Sequence, residues 1–137
     1  MTAPFTHEHR VTYADCTLGN HIYHSRYLDL LEAARGELFR HLGHTFLHYQ
    51  QQGLIFPVIE ARLNFKAPAR YDDTIAIETW PTLVEGLRLN FAYRIIRPAD
   101  DKLILEAATL HVCTSLEEKP KRLPKELIDA LLPYLRS

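Results

Sequence analysis

The chain has no long apolar run, no excess of either charge and almost no cysteine, and each shortage removes a class of protein. No window approaches the ~20 apolar residues of a membrane span, and Met1 to Phe5 runs straight into His7, Glu8, His9 and Arg10 without the apolar core of a signal peptide. A soluble cytoplasmic protein with no membrane partner is the expectation. Sixteen basic residues against 17 acidic ones leave a formal net charge of −1, which argues against a nucleic-acid partner whose phosphates must be neutralised in number. Two cysteines, Cys16 and Cys113, form neither a disulfide framework nor a zinc CxxC pair.

What the 137 residues do contain is ordinary globular material, 47% hydrophobic and 24% charged, enough for one domain spanning residues 1–137. His9, Val11 and Tyr13 alternate with polar neighbours as a short strand ending at Asp15. The polar stretch from Asp15 to His24 reads as a loop. From Ser25, Tyr27, Leu31, Ala34, Leu38 and Leu42 recur at helical spacing, giving a helix of about 18 residues. Ser25 is its candidate N-cap and Gly43 its left-handed terminus. Gly36 inside it predicts the close approach of another backbone.

After a short helix over 44–52 the period falls to two. Ile59, Ala61, Leu63 and Phe65, then Ile75 and Ile77, then Leu89, Phe91, Tyr93 and Ile95 each mark a dry face opposite a wet one. Leu103, Leu105 and Ala107 continue until the apolar parity moves to Leu110 and Val112, which a bulge near Ala107 would explain. Pro124 opens a last amphipathic helix as its first residue. The order predicts an α+β fold: an antiparallel sheet of about five strands wrapped around one long central helix, with a C-terminal helix. An open sheet leaves an edge strand that a second copy can cover, so a homo-oligomer, dimer or tetramer, is expected.

His41, His44 and His48 have the three-and-four spacing of ligands on one helix face, but Gly43 interrupts the run and no metal site is expected. Lys119, Lys121, Arg122 and Lys125 make a local basic run, either a solvated tail or a phosphate contact.

Four segments resemble a known family. They are Arg10-Val-Thr-Tyr-Ala-Asp15; Gly19-Asn-His-Ile-Tyr-His-Ser-Arg-Tyr27 leading into Leu-Glu-Ala-Ala-Arg35; Ala67-Pro-Ala-Arg-Tyr-Asp-Asp73; and Lys119-Pro-Lys-Arg-Leu-Pro124. Together they are similar to the hotdog-fold 4-hydroxybenzoyl-CoA thioesterase family of acyl-CoA thioesterases, over roughly residues 8 to 128. The resemblance implies hydrolysis of an acyl-CoA substrate at a site between subunits, without a cofactor. It places Asp15 and His24 as catalytic groups with Thr17, Asn20, Tyr23 and Ser25 around the substrate, and for such a substrate Lys121 and Arg122, the densest basic cluster beside a structured helix, are the candidates to hold the CoA phosphates.

The resemblance departs from its pattern at one acid. Family members carry Asp-x-Asp and use the second acid, where this chain has Thr17. Three readings follow: Asp15 takes over the work, Thr17 positions a water, or the protein is a module that binds acyl thioesters without hydrolysing them. A hotdog hydratase would need an Asp-x-x-x-x-His pair where the helix begins, which is absent.

Overall fold

The computed structural model describes residues 2–137. The elements are β1 (Phe5–Arg10), α1 (Arg26–Leu42), α2 (Phe46–Gln51), β2 (Val58–Phe65), β3 (Thr74–Glu85), β4 (Arg88–Arg97), β5 (Lys102–Val112) and α3 (Lys125–Leu131), with 3-10 turns at Tyr13–Asp15 and Leu132–Tyr134. The five strands form one antiparallel sheet in the order β1-β3-β4-β5-β2. Its concave face takes Leu31, Ala34 and Leu38 of α1 against Ile75, Ile77, Leu89, Phe91, Ile95 and Leu105, all nearly inaccessible. The four- and three-residue apolar steps of α1 are therefore the core side of the helix. Pro124 caps α3 from the position before its first residue, one place earlier than expected.

The first strand sits earlier than its apolar alternation suggested. Residues 5–10 pair with β3, while Thr12 to Asp15 turn sharply because the Asp15 carboxylate accepts the Thr12 N–H at 2.8 Å. Strand β3 runs on through Pro81, which is tolerated because a register shift falls between Pro81 and Leu83.

On β5 the bulge lies elsewhere than expected. Ile95 pairs with Leu105 and Ile96 with Leu103, so Ile104 is the extra residue. Beyond it the inward face never changes parity. Thr109 and His111 point into the core at 1% and 2% exposure, and two buried polar residues had disguised the alternation.

Gly36 makes room for a ring, not a backbone: a Cβ there would lie 3.3 Å from the Phe46 ring of α2. Strand β2 has a further peculiarity. Its expected dry face is only partly covered, with Leu63 packed against the core but Ile59 and Phe65 each 52% exposed, and its outer edge is unpaired. Among the described residues no helix is long and apolar enough to cross a membrane.

Candidate active site

Everything at the start of α1 is organised around one buried carboxylate. The Asp15 side chain is fully covered. Its Oδ1 accepts Arg26 Nε–H at 2.7 Å, and its Oδ2 accepts from His9 Nε2 at 2.7 Å and Thr12 N at 2.8 Å. Burial alone would raise its pKa, but the hydrogen bonds from His9, Thr12 and Arg26 outweigh burial and lower it to about 2. The carboxylate is thus ionised throughout the physiological range with both oxygens occupied.

Asp15 also ties the loop to the helix through its backbone, since its carbonyl accepts the Tyr23 N–H at 3.0 Å. Ile22 N–H is held by the Ala69 carbonyl at 2.9 Å. Asn20 takes a left-handed φ of 59°, and its side-chain oxygen accepts the Tyr71 N–H at 3.2 Å. Asn20 therefore pins the loop to the turn before β3. Ser25 heads α1 in helical conformation and makes no side-chain cap, contrary to expectation.

The loop so held forms one wall of a surface cleft of about 480 Å³, lined by Thr17, His21, Tyr23, His24, Tyr27 and the segment 65–68. Of the residues singled out in the sequence, it gathers Thr17, Tyr23 and His24. Asp15 lies beneath the loop rather than on the lining, and Asn20 and Ser25 are also off it. Thr17 spends its hydroxyl as acceptor for Gly19 N–H at 3.2 Å. The Tyr23 and His24 rings pack with centroids 4.4 Å apart, and both are exposed. His21, Lys66 and Phe65 were missed; His21 could have been found from its position three residues before His24 in the loop preceding the helix. Tyr27, read as core, also reaches the lining. Burial pushes its hydroxyl up to about 12, so it keeps its proton.

Lys121 and Arg122 are exposed and far from this cleft within the same chain. Lys121 N–H bonds the Cys113 carbonyl beyond the end of β5, beside the start of β2, whereas the cleft lies at the other end of β2, next to Phe65. An 8-residue strand at ~3.4 Å per residue separates the two by roughly 24 Å. The histidine run does not converge either. His44 and His48 stack at 3.8 Å while His41 packs on Phe5, and no metal-ligating cluster occurs among the described residues.

A five-stranded antiparallel sheet in this order, curled around one long helix with a cleft at that helix's first turn, defines the hotdog fold. The chain belongs to the thioesterase-like superfamily, whose family profile it matches over residues 11–131. It is 38% identical over 125 residues to the acyl-CoA thioester hydrolase YbgC of Escherichia coli strain CFT073, covering 87% of this chain and 89% of that protein. The acyl-CoA thioesterase YbgC of Haemophilus influenzae is 36% identical over 121 residues, covering 86% and 87%. Among solved structures, Slr0204, a 1,4-dihydroxy-2-naphthoyl-CoA thioesterase from Synechocystis, superposes with a TM-score of 0.87 at 26% identity, covering 93% of this chain and 94% of that one.

Proposed function

We propose that the protein hydrolyses acyl-CoA thioesters to the free acid and CoA, with His24 as the group that takes a proton from the attacking water. The observation that carries this reading is the cleft itself: an exposed imidazole at the positive end of α1, held by a loop anchored on Asp15. Water adds to the thioester carbonyl as His24 removes its proton. The oxyanion that develops faces the positive end of the helix dipole. Collapse of the tetrahedral intermediate breaks the C–S bond, and the proton held by His24 returns to the departing CoA sulfur. Asp15 serves as a positioning residue, because a carboxylate with both oxygens occupied and a pKa near 2 is a weak proton acceptor at neutral pH.

The site is completed by a second copy. The uncovered edge of β2, carrying Ile59 and Phe65, supplies the surface. Pairing two β2 strands antiparallel across a two-fold axis sets the Phe65 end of one against the Val58 end of the other. That arrangement carries the partner's basic pair, Lys121 and Arg122, toward this chain's cleft, where CoA phosphates need fixed cations. A stable monomer in sedimentation at micromolar concentration overturns this arrangement.

Turnover on a panel of acyl-CoAs tests the activity. His24→Gln is expected to slow turnover by about 10²- to 10⁴-fold, with KM little changed. Full activity in that variant removes His24 from the chemistry. A panel with no turnover but with tight acyl-CoA binding leaves the binding-module reading in its place.

A further inference from the structure

A second cavity, open to solvent on one side, lies between α1, α2, residues 54–56 and the facing strands β4 and β5. It measures about 230 Å³ and shares no lining residue with the cleft. Below the ~300–1,000 Å³ of drug-sized sites, it has room for about seven or eight waters at ~30 Å³ each. Its walls are largely aromatic, with Phe39, Phe46, Phe56 and Phe91, and its polar lining residues are Arg35 and His111 together with the exposed Glu32 and Gln50.

Those two residues end a chain of buried hydrogen bonds: Arg35 Nη1 to Tyr93 Oη at 3.0 Å, Tyr93 Oη to Thr109 Oγ1 at 2.6 Å, Thr109 Oγ1 to His111 Nε2 at 2.8 Å, and His111 Nδ1 to the Phe56 carbonyl at 2.9 Å. Its direction is fixed from both ends. A carbonyl only accepts, so His111 donates from Nδ1. Burial pushes the imidazole down to about 4 and keeps it neutral, leaving Nε2 to accept from Thr109. Thr109, its proton spent, must accept from Tyr93, and Tyr93 in turn accepts from Arg35. Every proton in the relay is assigned and Tyr93, Thr109 and His111 are all neutral, so the relay brings no negative charge to the guanidinium.

Arg35 is only 7% exposed. Among the described residues the one carboxylate within 4.0 Å of it is that of Glu32, at 3.9 Å, and the Glu32 side chain is 71% exposed. A guanidinium has five N–H donors, and the relay takes one of them. A buried cation whose one carboxylate partner stands 3.9 Å away, beyond hydrogen-bond reach and largely in solvent, keeps donors free for a further anion in the cavity.

We propose that this cavity binds a compact carboxylate, no larger than a single ring, anchored by the Arg35 fork between the phenylalanine walls. Planar bidentate donors match the two oxygens of a carboxylate, and the phenylalanine walls suit the apolar body of an organic acid. The relay serves the site by holding the guanidinium in place. The carboxylate can arrive as a free acid or as the far end of an acyl group held in the cleft of a second copy, which antiparallel β2 pairing sets beside this cavity, and the two sources are separable.

Titration calorimetry of the native protein with benzoate and with the neutral isostere benzamide tests the anion site without requiring turnover. Benzoate is expected to bind at least tenfold more tightly, and Arg35→Gln to abolish the difference. Should Arg35→Gln not fold, Leu54→Trp fills the cavity while leaving the guanidinium, and is expected to lose benzoate binding. The second arm rests on the thioesterase reading and compares kcat/KM for glutaryl-CoA and valeryl-CoA. A tenfold preference for glutaryl-CoA that Arg35→Gln removes identifies the carboxylate as the end of an acyl group. Benzoate selectivity without that preference identifies a free acid. Equal affinity for benzoate and benzamide, or none, together with equal kcat/KM for the two thioesters, overturns the proposal.

Discussion

Replacing Asp15 by Asn separates a carboxylate that does chemistry from one that holds a loop. The amide cannot satisfy the donors that converge on Asp15 in the native protein. If its oxygen stays with His9 and the Thr12 N–H, its NH₂ faces Arg26 Nε–H, and two donors oppose each other. The Arg26 side chain is 42% exposed and can swing into water, so this is the cheaper arrangement; the reverse would set NH₂ against the fixed Thr12 N–H.

The magnitude follows from the carboxyl pKa, lowered from 3.8 to about 2. At ~1.36 kcal/mol per unit, the ionised form is stabilised by about 2 kcal/mol on folding. For a chain of this size that corresponds to a fall in Tm of about 6–10 °C at pH 7. The sign with pH is fixed. A group whose pKa is depressed on folding contributes its full stability above the unfolded value of 3.8 and loses it as pH falls through about 2. The Tm gap between native protein and Asp15→Asn should therefore be full at pH 7 and should close between pH 4 and pH 2. Calorimetric melts across that range, paired with turnover per folded molecule at pH 7, measure both quantities. Turnover slowed by about 10²- to 10⁴-fold, the usual contribution of a positioned acid-base group, with the native Tm retained, would refute the positioning role and make Asp15 the base.

Thr17→Asp introduces a carboxylate on the cleft wall, where the family's second acid falls, and kcat for acyl-CoA should rise tenfold or more at pH 7. A loss instead would mean that the Gly19 N–H to Thr17 hydroxyl turn, 3.2 Å in the native protein, is the feature the site depends on. Reversing charge at both Lys121 and Arg122 should raise KM for acyl-CoA at least tenfold while leaving KM for an acyl-pantetheine, which lacks the nucleotide phosphates, within about twofold. Equal effects on the two substrates leave that pair as solvated surface.

How far the sequence discloses this protein depends on whether a residue's role is set by its neighbours in the chain. The core face of α1 and the alternation of β4 are local patterns, and Leu31, Ala34, Leu38, Leu89, Phe91 and Ile95 lie where periodicity puts them. Thr109 and His111 break the pattern for a physical reason: they are polar, and their burial is compensated by Arg35 and Tyr93, residues 16 to 76 positions away along the chain. A period-two reading sees two polar residues and turns them outward. The same holds for Asp15. An acid at the end of a strand is visible in the sequence, but the arrival of Arg26 from the helix and His9 from β1 on its two oxygens is not. Those partners occupy both oxygens of the candidate base. Strand β2 shows the converse case, since its alternation is clear yet Ile59 and Phe65 stay exposed. Its alternation encodes a dry face of which Leu63 packs against the core while those two stay half exposed. Locally encoded structure is thus legible, while the charges that give the cleft and the cavity their chemistry are set by contacts that form only when distant segments meet.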